Sequence, residues 1–168
     1  MEGDYWNPFK YSLVLLSLQI TMANWIASTN RTNWEIIKQK NIWGIPKRNV
    51  NIHSRVHPGD YLLIFISQQK EGDTLLPSAI TGSYEITKCY IDANPLFTPP
   101  PQMGDERFPY RFSLKLVKTF KTPLEFKSLI PNLEFITNKT MWSGHLRVAM
   151  REIPLEDYDL IMQKGSVQ

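Results

Sequence analysis

A chain of 168 residues is the size of one ordinary domain and is long enough to bury a real core. Hydrophobic residues at 42% and charged residues at 21% sit near the globular average, which excludes a disordered body. The formal charge of +3 suits an anionic partner without demanding one, and the single cysteine, Cys89, excludes an intrachain disulfide and a Cys-x-x-Cys metal site.

Tyr11 to Ile20 is apolar but too short to span a bilayer. With Lys10 before it and Thr21-Met22-Ala23 after it, the stretch resembles the apolar part of a secretory leader. Glu2 and Asp4 stand where such a leader is positive, which argues against that reading. We expect residues 1–21 to be an extension, dispensable or packed on the body as an extra strand or helix, and residues 22–168 to form a single domain. A cytosolic location follows from the same balance, and no membrane partner is expected. The sequons at Asn30 and Asn138 then read as chance matches.

Asn24 to Ser28 predicts a short strand. Thr32-Asn33-Trp34-Glu35 has the form of a capping box and predicts a helix from about Asn33, with Trp34, Ile36 and Ile37 on its apolar side. Asn41 and then Gly44-Ile45-Pro46 end it, which leaves Trp43 in a loop. His57-Pro58-Gly59-Asp60 is a turn, and the nearly unbroken apolar run Tyr61 to Ser67 predicts a central strand buried on both faces. Gln68 to Pro77 reads as a polar loop and Ser78 to Lys88 as a strand. Asn94 to Pro109, with Pro95, Pro99, Pro100, Pro101 and Pro109, predicts an irregular surface loop. Phe112, Leu114 and Leu116 alternate with Ser113 and Lys115 as in a half-buried strand. Leu133 to Thr137 predicts one more strand, and Pro154 opens a closing helix carrying Leu155, Tyr158, Leu160 and Ile161. The regular strand–helix alternation of a doubly wound sheet is absent. The fold class expected is therefore α+β, a small, strongly curved mixed sheet or open barrel with peripheral helices.

The charge is uneven. Arg31, Lys38, Lys40, Lys47, Arg48 and Arg55 face the single acid Glu35 in one stretch, leaving the rest of the chain slightly acidic. This is the pattern of a phosphate-contacting patch, or of a solvated charged helix with a basic loop. Within the patch, Lys47, Arg48 and Arg55 are the natural phosphate contacts. His53 and His57 lie four apart, but the Pro-Gly turn after them is incompatible with helical ligand geometry, so no metal is expected. No cofactor motif is present.

Asn24-Trp25-Ile26, Asn41 to Pro46 (NIWGIP), Ser54 to Asp60 (SRVHPGD), Pro109-Tyr110-Arg111, Met141-Trp142-Ser143 and Met150 to Pro154 (MREIP) resemble, in order, the signatures of EVE-domain proteins. The resemblance covers about residues 23–163 and implies a PUA-like fold shared with YTH domains, which read N6-methyladenine in RNA. It further implies that Trp43 is a wall of an aromatic base pocket, that Asn33 bonds the ring edge, and that Ser28 and Thr29 stand beside the base. Phe112 matches a second aromatic wall, and a third is Leu133 or Trp142. The partner implied is RNA or DNA carrying a modified base.

The chemistry of the residues agrees with the resemblance. A base taken out of its strand needs flat faces, each worth about 1–3 kcal/mol, and polar groups that read its edge. Each candidate also has a plainer role: Trp43 as packing, Asn33 as a helix N-terminal residue, Trp142 as core beside Met141. Trp25 and Trp34 read as core. An enzyme on the same superfold, an amidohydrolase or nuclease of the ASCH type, is the alternative. It would need a nucleophile or base with a partner, and no Ser-x-Gly elbow, no Cys–His–Asn set around Cys89 and no motif of paired acids is found. A reader without catalytic residues is expected.

Overall fold

A computed structural model of the chain describes residues 21–167, so the expectations for the first twenty residues lie outside it. Strand β1 (Asn24–Thr29) leads into helix α1 (Arg31–Lys40) and strand β2 (Ile42–Ile45). The short helix α2 (Val50–His53) precedes β3 (Tyr61–Ile66), and β4 (Gln69–Glu71) and β5 (Thr74–Leu76) make a small hairpin. The long strands β6 (Ala79–Ile91) and β7 (Tyr110–Glu125), then β8 (Met150–Ile153) and helix α3 (Leu155–Ser166), complete the chain. One sheet takes six strands in the order β2-β7-β6-β3-β1-β8, with β1 and β3 parallel and the other pairs antiparallel. The sheet is mixed and curled into a half-barrel.

The sheet has an apolar core on each face, and β3 shows why its run is unbroken. Leu62, Ile64 and Ile66 enter one core with Trp25, Trp34, Ile37, Trp43 and Phe112, while Leu63 and Phe65 enter the other with Ile26, Phe126, Leu133 and Ile161. Strand β7 passes from one core to the other, giving Phe112 and Leu114 to the first and Phe120 and Leu124 to the second. Three register shifts between β6 and β7 let this sixteen-residue strand bend between them.

Local chemistry moved several boundaries. Helix α1 starts two residues before the expected position because Asn30, not Thr32, is the N-cap: its side-chain oxygen accepts from the Asn33 N–H at 2.8 Å. Asn41 ends the helix in the left-handed region at φ 52°. Trp43 then lies in β2 rather than in a loop, paired with Phe112 of β7. The expected polar loop at 68–77 contains the β4–β5 hairpin, and Leu116 is exposed because the alternation of β7 stops at Leu114. Leu133 to Thr137 is not a strand. The Glu134 and Phe135 N–H groups donate instead to the carboxylate of Asp157 in α3, both at 2.8 Å, so they have no ladder to join. Among the described residues no helix is long and apolar enough to cross a membrane.

At the N-terminal end of β1 the buried carboxylate of Asp60 accepts from Ala23 N–H at 2.9 Å, His57 N–H at 2.9 Å and the Trp25 indole at 3.0 Å. Gly59 beside it takes φ +99°, which the tight turn before β3 requires.

Candidate functional site

Both parallel strands end beside one cleft of about 300 Å³, which falls at the small end of ligand sites. Ser28 and Thr29 come from the end of β1, Asn30 and Asn33 from the first turn of α1, and Ser67 from just after β3. Strand β2 supplies Trp43 and Gly44, followed by Pro46 and Arg48. The facing wall is the proline-rich loop between β6 and β7, through Phe97, Pro100, Gln102, Met103 and Phe108, and the rim is closed by residues 146–149.

The proline-rich loop has no ladder to hold it, so side chains do. The Asn33 amide donates to the Thr98 carbonyl at 3.0 Å and accepts from the Thr98 N–H at 2.8 Å. Arg111, 2% exposed, pairs with Asp92 at 3.3 Å and donates to the carbonyls of Asn94, Arg107 and Phe108. Its guanidinium also lies 6.0 Å from the centre of the Phe97 ring. Gly44 allows the loop to come close: a Cβ there would meet Phe97 Cε2 at 2.7 Å and the Phe108 carbonyl at 3.1 Å. Phe97 and Phe108 pack edge to face, and Phe97 does the same on Trp43 with ring centres 6.0 Å apart.

Trp43 is only 4% exposed, so it belongs to the core and offers the cleft a margin of its ring. Its indole N–H is buried without a hydrogen-bond partner. Asn33 is also buried, and its two bonds to Thr98 leave one N–H and one lone pair for anything else.

The structure therefore brings Ser28, Thr29, Asn33, Trp43 and Arg48 together on one cleft. Phe112 and Leu133 are elsewhere, each fully buried, one in each core, with no face left for a ligand. Trp142 lines an adjoining cavity. Lys47 lies on another surface hollow beside Glu106 and Tyr110, and Arg55 pairs with Glu152 over the Trp25 ring. The basic stretch of the sequence is thus divided, since Lys38 is also taken up by Glu35 at 2.7 Å. The residues that sequence reasoning missed are Phe97, Met103, Phe108 and Arg147. Two aromatic residues, Phe97 and Phe108, inside a proline-rich loop were the available signal.

Among the described residues, burial shifts four groups outside the cleft, raising the pKa of Tyr84 and Tyr158 and acting also on His53 and Cys89. The His53 imidazole stacks on Tyr110 with ring centres 4.8 Å apart, and burial lowers its pKa. Burial, and then the charge of Asp60, push the Cys89 thiol up, which disfavours a nucleophilic thiolate. Among the described residues no group of three or more His, Cys, Asp or Glu gathers as a metal site.

Comparison with known proteins places the chain in a family. The family model of the EVE domain matches residues 23–164. A UPF0310 protein of Pyrococcus horikoshii is 47% identical over 143 residues, covering 83% of this chain and 97% of that protein. One from Pyrococcus abyssi is 42% identical over 142 residues, with the same coverage. Among solved structures, human THYN1 in complex with 5-methylcytosine containing DNA superposes with a TM-score of 0.53 at 14% identity, over 85% of this chain and 97% of that one. The Mmi1 YTH domain gives a TM-score of 0.53 at 13% identity, over 87% of this chain and 76% of that one. At such identities the two structures speak for the fold. Matched along nearly its whole described length, and close to half identical to a Pyrococcus relative, the chain belongs to the EVE domain family.

Proposed function

We propose that this protein is a non-catalytic reader of nucleic acid that takes one unstacked base, in modified form, into the cleft beside Trp43. The observation that carries the reading is the composition of that cleft. Aromatic rings of Trp43, Phe97 and Phe108, short polar groups of Ser28, Thr29 and Asn33, and the cations Arg48 and Arg147 line one space. Rings stack or enclose a base, the polar groups and the unpartnered indole N–H of Trp43 read its edge, and the cations meet the backbone phosphates. Burial before any ligand arrives means that the walls are preorganised, which lowers the cost of binding. Human THYN1, whose structure holds 5-methylcytosine containing DNA, supports nucleic acid as the partner and a methylated base as the first to try. The same reading takes residues 22–168 as one cytosolic domain and residues 1–21 as an extension.

The test is a binding panel with the purified protein. Single-stranded and duplex DNA and RNA of one sequence would carry cytosine, 5-methylcytosine, adenine or N6-methyladenine at one position. One modified base should bind more tightly than its plain parent, and the preference should fall in Gly44→Ala, which pushes against Phe97. Equal binding of all strands would sink the reading and leave a basic surface.

A further inference from the structure

We infer that the cavity next to the cleft seats the neighbouring nucleotide of the same strand, so that the unit bound is two consecutive nucleotides; this rests on the reading above. The adjoining cavity, about 470 Å³, shares Ser28, Ser67, Leu146 and Arg147 with the first, so the two spaces are immediate neighbours. Its own walls repeat the chemistry of a nucleotide site. Trp142 is a partly buried ring held by Phe126 with ring centres 5.4 Å apart, and its remaining surface lines the cavity as a platform for stacking. Ser78 is 1% exposed, and its buried hydroxyl has no hydrogen-bond partner. A buried polar group left unsatisfied in the free protein is one that a ligand can satisfy.

The charges fit a strand running through both spaces. Lys127 stands at the second cavity and Arg147 on the shared rim, and neither enters an ion pair among the described residues. Two consecutive nucleotides are joined by one phosphodiester, and the shared rim is where that link crosses. Arg147 is the cation placed to meet it, while Lys127 meets the phosphate beyond. Trp142 then serves the second base rather than the first.

The experiment compares the 5′-monophosphates of 5-methyl-2′-deoxycytidine and N6-methyl-2′-deoxyadenosine with dinucleotides that extend each by one thymidine, on its 5′ or its 3′ side. For the base that binds, one of the two extensions should tighten binding about tenfold, since a stacked base contributes at least that order. Trp142→Ala and Lys127→Gln should each remove most of that gain while the monophosphate affinity stays as in the parent. Trp142 also packs on Phe126, so Lys127→Gln, an exposed change, guards against a folding artefact. Ser78→Ala adds a readout of opposite sign: thermal stability should hold or rise as the buried hydroxyl is lost, while the dinucleotide gain falls. If the monophosphate binds and neither extension improves it, the second seat does not exist and the first reading stands. A gain that survives all three changes also overturns the second seat. If no monophosphate and no dinucleotide binds, the first reading fails and takes this inference with it.

Discussion

Asn33 and Thr98, sixty-five positions apart, exchange two hydrogen bonds, so one side chain at the start of a helix fixes the middle of the loop that walls the cleft. The amide is bonded on both of its ends before any ligand arrives. Asn33→Ala should therefore act first on the loop. The expected cost is about 1–3 kcal/mol of stability, with faster proteolysis between Pro95 and Met103. Asn33→Asp keeps the bond from the Thr98 N–H and loses the one to its carbonyl, so it should fall between parent and Ala. If protection of the loop is the same in all three proteins, by hydrogen exchange, Asn33 is not its pin.

Trp43→Ala removes a core ring as well as a cleft wall. We expect a loss of about 3–5 kcal/mol in denaturant unfolding, the usual cost of an aromatic-to-Ala change inside a core. Trp43→Phe keeps much of the packing and deletes the unpartnered indole N–H. It should lower base affinity while leaving the melting temperature within a few degrees. Undiminished affinity in Trp43→Phe would show that the indole N–H reads nothing.

Lys47 and Arg48 are adjacent in sequence and serve different surfaces. Arg48→Gln should weaken binding to any oligonucleotide and reduce the slope of log affinity against log salt by about 0.7–0.9, the value of one phosphate contact. Lys47→Gln should change neither by more than a small fraction of that. Titrations at three or more salt concentrations separate the two, and equal slopes would remove Arg48 from the phosphate path.

His53 makes stability depend on pH in a definite sense. Its folded pKa lies below the ordinary value of about 6.5, so under mildly acidic conditions the unfolded chain binds a proton that the folded one refuses. The contribution of the neutral, stacked ring is therefore full above about pH 6.5 and is lost progressively as pH falls toward the lowered folded value. His53→Gln should flatten this part of the stability curve. A slope unchanged in the variant would place the acid sensitivity elsewhere.

Asp157 replaces a strand with a side-chain anchor. Asp157→Ala leaves the Glu134 and Phe135 N–H groups without their acceptor and should cost about 2–4 kcal/mol. A loss below 1 kcal/mol in denaturant unfolding would mean that water replaces the carboxylate freely.

Whether a feature could be read from the sequence depended on how local its cause is. β3 was legible because burial on both faces leaves every position apolar, and the end of α1 because Asn41 takes the left-handed turn itself. β2 was not legible: four residues between Asn41 and Pro46 are too few to show a period, and what makes them a strand is their pairing with Arg111, Phe112 and their neighbours. Leu133 to Phe135 has the apolar content of a strand, and only the distant Asp157 decides otherwise. In the cleft, Ser28, Thr29, Asn33 and Trp43 come from the resemblance to EVE and YTH domains, whose matching segment is one short stretch of chain. Phe97 is brought there by the distant Asn33–Thr98 pair, and Phe108 and Arg147 come from other parts of the chain, which no spacing announces.

The loop held by Asn33 and Arg111 also divides a tied backbone from an untied one. Its backbone is tied at Asn94, Thr98, Arg107 and Phe108, but the stretch from Pro99 to Asp105 receives none of these bonds and still carries Pro100, Gln102 and Met103 into the cleft. Insertions and replacements there alter what the wall presents without entering the six-stranded ladder. The surface offered to a ligand can thus be altered there with the sheet left as it is.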